Sequence, residues 1–214
     1  MTKLKLYSHP RSGTNWTLAL LEMAYWGCVK YHVARTGHWS KRVGVAAPES
    51  KMLGGHQFYN AKLPGKRVYL YRDGRDVALS LWNAKAFQPA YKRGMSFSEY
   101  IRTPLDWRGT PGVKAKPRRN IIQHWKLHLD SWHNAPDTLL IRYEDLLSDI
   151  DGTLAQVAEF TGDELLPVDG YDIGAGPFPS GDYRIAKWQG AYSDADTDYF
   201  NSIVPSDYWG LWNG

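Results

Sequence analysis

The 214-residue chain predicts an α/β fold of three layers, a central, mainly parallel sheet flanked by helices. Two observations carry this. Short apolar runs pass through a tight turn into a helical pattern at residues 3–26 and again at 68–82, and a third apolar run, Thr138 to Arg142, leads into further helical spacing. Nothing in the chain repeats, and its length suits one domain over 1–214 with a full core.

The elements follow in order. Residues 3–8 read as a buried strand, and 14–26 as a helix apolar nearly all round (Trp16, Leu18, Leu20, Leu21, Met23, Tyr25), closed by Gly27. Such a helix sits between layers. Val68-Tyr69-Leu70-Tyr71 is a continuous apolar strand, after which Asp73-Gly74 turns the chain into a helix with Val77, Ala78, Leu81 and Trp82 on one face. Residues 87–117 lack sustained periodicity, so the region 83–120 is expected to be an insertion or cap. Ile121, Trp125, His128 and Trp132 recur at helical spacing, and Leu154, Val157, Ala158 and Thr161 mark a helix ended by Gly162. Beyond about residue 165, Gly, Pro, Asp and Tyr dominate and the chain reads as irregular.

A formal charge of +4 and a pI near 9.0 favour anions: a nucleotide, an acidic acceptor or nucleic acid. The densest basic run, Lys114, Lys116, Arg118 and Arg119, reads as a solvated loop feeding a helix, or as a lid facing an acceptor. The single cysteine, Cys28, excludes intrachain disulfides and Cys-based zinc clusters, and fits a reducing compartment. No apolar run is long enough for a signal peptide or a membrane span, so a soluble cytoplasmic protein with no membrane partner is expected. Ten tryptophans and 14 tyrosines point first to an aromatic core.

Two stretches carry chemistry. Ser8-His9-Pro10-Arg11-Ser12-Gly13-Thr14-Asn15-Trp16 spans the first strand-to-helix turn, where backbone N–H groups and a helix dipole converge on one spot and suit an anion. The nucleoside-triphosphate loop GxxxxGK[ST] is absent, which disfavours an ATP-type kinase. In the second stretch, Arg72-Asp73-Gly74-Arg75-Asp76-Val77-Ala78-Leu79-Ser80, an Arg at a strand's end can fork onto a phosphate while a Ser in the next helix adds a hydroxyl. Arg72 pairing with Asp73 or Asp76 is the bland alternative.

Together these stretches resemble the 5′-phosphosulfate loop, P-[KR]-S-G-T-[TS]-W, and the 3′-phosphate motif, R-x-x-[KR]-D-x-x-x-S, of sulfotransferases. That family uses the donor 3′-phosphoadenosine 5′-phosphosulfate (PAPS) and has a P-loop-like fold. Trp125-x-x-His128-x-x-x-Trp132 and Leu140-Ile141-Arg142-Tyr143-Glu144-Asp145 resemble later motifs of the same family, in the same order.

The resemblance implies sulfuryl transfer from PAPS to a hydroxyl or amine of a small-molecule or glycan acceptor, with the nucleotide product 3′-phosphoadenosine 5′-phosphate (PAP). No metal and no nucleic acid are expected. The amides of Ser12, Gly13, Thr14 and Asn15, with the Ser12 and Thr14 hydroxyls, would hold the 5′-phosphate and sulfuryl oxygens. Trp16 would stack on adenine or be core, and Tyr143 joins the nucleotide-binding set. Arg11 stands where the family has its catalytic Lys or Arg; a permanently charged guanidinium stabilises developing negative charge and does not donate a proton. Arg72 and Ser80 would hold the 3′-phosphate.

A hydroxyl acceptor needs a base, and histidine is the default. His56, between the two nucleotide motifs, matches the family's catalytic His; His9 is the alternative. The family's Lys two residues before that His is here Gly54. His124 and His128, at i and i+4, lack an evident third ligand for a metal, and His128 reads as an acceptor-pocket residue or a satisfied core histidine. In the tail the family's R-K-G clamp is missing, leaving Arg184 as the candidate second cation, then Lys187 and Arg75. A P-loop-like phosphotransferase and a non-catalytic nucleotide- or nucleic-acid-binding protein are the competing readings.

Overall fold

In the computed structural model, residues 4–27, 52–84, 94–105, 119–168, 185–206 and 208 are described. Four parallel strands form one sheet in the order β2-β1-β3-β4: β1 Lys5–Ser8, β2 Leu53–Gly55, β3 Arg67–Tyr71 and β4 Thr138–Arg142. β3 runs in register with both neighbours, Leu6 facing Val68 on one side and Val68 facing Leu139 on the other.

The sequence Arg67-Val68-Tyr69-Leu70-Tyr71 alternates large aliphatic and aromatic side chains, and the period-2 pleat sends them to opposite faces. Val68 and Leu70 join Leu6, Ile141 and the leucines of α1 (Thr14–Trp26) in one core cluster. Tyr69 and Tyr71 join Tyr7, Trp125 and Trp132 in the other. α1 is buried on nearly every side and ends where Gly27, at φ 65, donates its N–H to Met23 O at 2.8 Å.

On the aromatic face lie α2 (Gly74–Asn83), α3 (Phe97–Arg102) and α4 (Ile121–His133). β4 leads directly into α5 (Tyr143–Ser148), and α6 (Ile150–Thr161) covers the aliphatic face, its last carbonyls accepting from the Lys66 ammonium. A short 3₁₀ turn (Lys187–Gly190) and α7 (Asp194–Ile203) complete the described chain.

The three-layer α/β fold with a parallel sheet is as read from the sequence. Three elements differ. β2 was not anticipated. Within the stretch expected to lack periodicity, α3 forms on a Ser96–Glu99 capping box and buries Tyr100 and Ile101. The supposedly irregular tail contains α7, opened by a Ser193–Asp196 capping box and anchored by the fully buried Phe200. Cys28, Lys114, Lys116, Arg118 and Arg184 lie outside the described residues.

Candidate active site

All four strands end at the same rim of the sheet, and each delivers a motif residue there. β1 runs into the loop 9–13, β2 into His56, β3 into Arg72 and β4 into Tyr143. In open parallel sheets ligands bind outside the carboxyl ends of the strands.

The first loop turns on two left-handed residues, Arg11 at φ 70 and Gly13 at φ 99. A Cβ on Gly13 would lie 2.3 Å from Tyr143 Cε2, so glycine is required there by conformation and by the ring packed upon it. No side chain caps α1 and no acidic residue lies in its first turn, so its positive dipole end is not offset locally. Ser12 Oγ is buried with no hydrogen-bond partner among the described residues. Thr14 Oγ1 is 2.5 Å from Ser8 Oγ, which ties the start of α1 to the end of β1.

Arg72 is 6% exposed. Its guanidinium lies 4.6 Å from the centre of the Tyr143 ring and 3.3 Å from the Asp76 carboxylate, the pairing anticipated as the bland alternative. Ser80 is not left to solvent: its Oγ accepts from Arg11 Nε at 3.1 Å, so the arginine of the first motif meets the serine of the second. Arg11 reaches solvent, yet partial desolvation and then the neighbouring Arg72 charge lower its pKa from the usual arginine value. Two cations held this close favour an anion between them.

His56 Nδ1 is 2.9 Å from the carbonyl oxygen of Ser8. A carbonyl only accepts, so Nδ1 carries the proton and Nε2 holds the lone pair of the neutral ring. Gly54, where the family has a lysine, has no room for a side chain, because its Cβ would lie 2.4 Å from Tyr7 Cε1.

His9, the alternative base, is 1% exposed; its Nδ1 donates to Pro10 O at 2.9 Å and its Nε2 meets His124 Nδ1 at 3.0 Å. His128 is wholly buried, so it does not line an open acceptor pocket. Burial holds all three rings neutral, with His9 well below the usual histidine value and His124 and His128 at about 3. Trp16 is 1% exposed and packs in the aliphatic cluster. A stacking role for it would require the residues over it to move.

Three contacts went unread in the sequence. Asp76, buried within the second motif, accepts from the backbone N–H groups of Ala186 at 2.9 Å and Trp188 at 3.0 Å, fastening the tail to α2. Arg75, the reserve cation, is spent on the same fastening: Asp73 holds it at 2.6 Å and its guanidinium lies 3.7 Å from the Trp188 ring centre. Glu144 accepts from Asp73 N at 3.1 Å, locking α5 to the β3–α2 turn. The signals were present as the Asp inside R-x-x-R-D-x-x-x-S and the Glu of Tyr-Glu-Asp, but their partners lie far away in sequence.

Residues 56–169 match the sulfotransferase domain family. The chain belongs to that family. Sulfotransferase 2A1 of Macaca fascicularis is 24% identical over 184 residues, covering 76% of this chain and 60% of that protein. Sulfotransferase 6B1 of Pan troglodytes is 25% identical over 172 residues, covering 73% and 54%. This sulfotransferase domain thus spans somewhat over half the length of those curated relatives.

Its fold matches solved structures. Mouse sulfotransferase SULT7A1 complexed with PAP superposes at a TM-score of 0.60 with 15% identity, covering 98% of this chain and 87% of that one. Retinol dehydratase in complex with androsterone and PAP gives 0.53 with 19% identity, covering 94% and 79%. Among the described residues no group of side chains suited to a metal ion occurs, and no helix is long and apolar enough to cross a membrane.

Proposed function

We propose that this chain is a PAPS-dependent sulfotransferase that moves the sulfuryl group to a hydroxyl or amine of a small-molecule or glycan acceptor by in-line displacement. The observation that carries the reading is the Arg11–Ser80 contact at the strand rim, which joins the loop at 9–13 to the motif beginning at Arg72. Bound PAPS supplies an activated sulfuryl group. The residues suit it: the uncapped start of α1 and the orphaned Ser12 hydroxyl would take the 5′-phosphosulfate, and Arg72 with Ser80 the 3′-phosphate. Tyr143 walls the loop between them.

His56 Nε2 takes the acceptor's proton, its ring oriented by the Nδ1–H bond to Ser8 O. Arg11 offsets the negative charge that develops on the oxygens of the leaving group. The acceptor-side cap expected over 83–120 and the second cation expected at Arg184 fall largely or wholly outside the described residues. Androsterone and retinol are bound by retinol dehydratase, so hydrophobic alcohols of that kind head the acceptor panel for this chain.

Calorimetry and labelled PAPS test the reading. PAP binds much more tightly than AMP, and Arg72→Ala weakens PAP by about 1.5–3 kcal/mol, the range for a hydrogen bond to a charged group, while AMP is hardly affected. His56→Ala lowers turnover on the order of a hundredfold with PAP affinity nearly intact. Equal losses of PAP and AMP in Arg72→Ala, or turnover abolished by EDTA, would overturn the assignment.

A further inference from the structure

The helix α4 does more than pack against the sheet. His128, Ser131 and Trp132, spaced so that they share one face, each bond the main chain of the segment that carries the proposed base. His128 Nε2 is 3.3 Å from His56 O, Trp132 Nε1 donates to Gln57 O at 3.2 Å, and Tyr59 N–H donates to Ser131 Oγ at 3.2 Å.

The protons on His128 follow from its partners. The His56 carbonyl only accepts, so Nε2 carries the hydrogen; Nδ1 is then an acceptor and must take its bond from Tyr69 Oη, 2.8 Å away. Tyr69 is 1% exposed and its ring lies near-parallel to His128, while Phe58 and His9 close on the imidazole from other sides. Burial keeps the Tyr69 hydroxyl protonated and the imidazole neutral, and of the two neutral tautomers only this one gives the His56 carbonyl a donor. The result is a directed chain of bonds, Tyr69 O–H to His128 Nδ1 and His128 Nε2–H to His56 O. His56 is therefore gripped twice, at its carbonyl by α4 and at its ring by β1.

We propose that His128 is a positioning residue for His56: the chain from Tyr69 through His128 to the His56 carbonyl, with Trp132 and Ser131 beside it, sets the backbone from which the His56 ring aims Nδ1–H at Ser8 O and Nε2 at the acceptor. This rests on His56 being the base. It assigns the buried histidine a task in turnover although it touches neither donor nor acceptor.

The test uses the whole chain, ¹⁵N-labelled at histidine, with 2-naphthol as the acceptor probe and PAPS as donor. His128→Leu removes the donor while keeping an apolar side chain; His128→Gln restores an N–H near the Nε2 position; Tyr69→Phe removes the hydroxyl that fixes the tautomer. In the parent, the His56 ring shows a protonated Nδ1. In His128→Leu that signature shifts toward a mixture, kcat falls on the order of ten- to a hundredfold and PAP affinity stays within about twofold, the pattern of a misplaced group rather than a lost binding site. His128→Gln recovers most of kcat and the Nδ1–H signature, and Tyr69→Phe lies between.

An unchanged His56 tautomer with unchanged kcat in His128→Leu overturns the proposal, as does His128→Gln behaving like His128→Leu. Should His128→Leu fail to fold, Tyr69→Phe and His128→Gln decide it by the same two readouts. The two readings fail separately: full turnover in His56→Ala removes the base assignment, whereas the ring spectrum of His56 in the His128 variants still reports whether His128 orients it.

Discussion

The two faces of the sheet are packed with different chemistry. On one, α1 and α6 press leucine, valine and isoleucine onto Leu6, Val68, Leu70 and Ile141. On the other, α2, α3, α4 and α7 bring tryptophan, tyrosine and phenylalanine, mixed with aliphatic side chains, against Tyr7, Tyr69 and Tyr71, and His128 stacks on Tyr69. Aliphatic groups only fill space. The aromatic face fills space too, but its indole N–H and imidazole groups reach main-chain carbonyls beneath the motifs, and the Tyr69 phenol backs one of those imidazoles: Trp125 Nε1 bonds Arg72 O at 3.1 Å, Trp132 Nε1 bonds Gln57 O, and His128 bonds His56 O. One face therefore supplies mainly packing, with Tyr143 its contribution to the site, while the other also bonds the backbone beneath the motifs.

The largest expected effect breaks that division if it is wrong. Leu20 is fully buried on the aliphatic side, and Leu20→Ala should cost about 2–5 kcal/mol of stability by denaturant melt, with PAP affinity of the folded protein within roughly twofold of the parent. Trp132→Phe keeps most of the packing but leaves Gln57 O short of a donor, about 1–3 kcal/mol, and should lower turnover more than its stability loss accounts for. If Leu20→Ala damages PAP binding as much as it damages stability, the two faces are not separable.

Acid comes next. His124 and His128 are held to about 3 by burial, against an ordinary 6.5, and His9 is lowered well below it for the same reason. Below pH 6.5 the unfolded chain takes up protons that the folded chain refuses, so the stability is complete above that value and drains away as pH falls toward 3. Asp196, lowered to about 2 by its hydrogen bonds to Ser98 and Arg102, acts only below its ordinary 3.8. Denaturant melts between pH 6 and 4.5 therefore read these buried histidines, opposed by Glu144, whose carboxyl burial raises so that the folded chain takes up its proton first; His124→Leu should flatten their slope, and an unchanged slope would place the acid sensitivity elsewhere.

The smallest effect calibrates the rest. Lys126 and Asp130 form a partly exposed pair at 2.8 Å on α4, and Lys126→Ala should change stability by under about 0.5 kcal/mol. A larger change would show that this outer surface of α4 matters to the aromatic face.

The strand-turn-helix units at 5–26 and 67–83 were legible because apolar run, turn residue and helical spacing follow one another without a gap. β2 was not: Leu53-Gly54-Gly55 has little strand preference of its own and pairs because β1 offers a ladder, with Leu6 facing Leu53 and Tyr7 facing Gly55. α7 hid behind Asp194, Asp196 and Asp198, with Phe200 its one fully buried aromatic. The site was legible to the extent that motifs are local. Trp16 and His128 were not, because a lone aromatic or imidazole reads the same whether it faces a ligand or a core, and burial decides that only in three dimensions.

The carboxylate of Asp76 has a consequence for how the protein is made. It belongs to the first turn of α2, yet the N–H groups it holds lie 110 and 112 residues downstream. At a synthesis rate of about 5–20 residues per second, roughly 5–20 s separate its emergence from that of Ala186. Through that interval the growing fold carries a buried-to-be anion with Arg72 beside it, and the turn from β3 into α2 reaches its final form only when Ala186 and Trp188 arrive. A chain stalled before Ala186 would thus keep both strand-turn-helix motifs and still lack the strap that fastens onto α2.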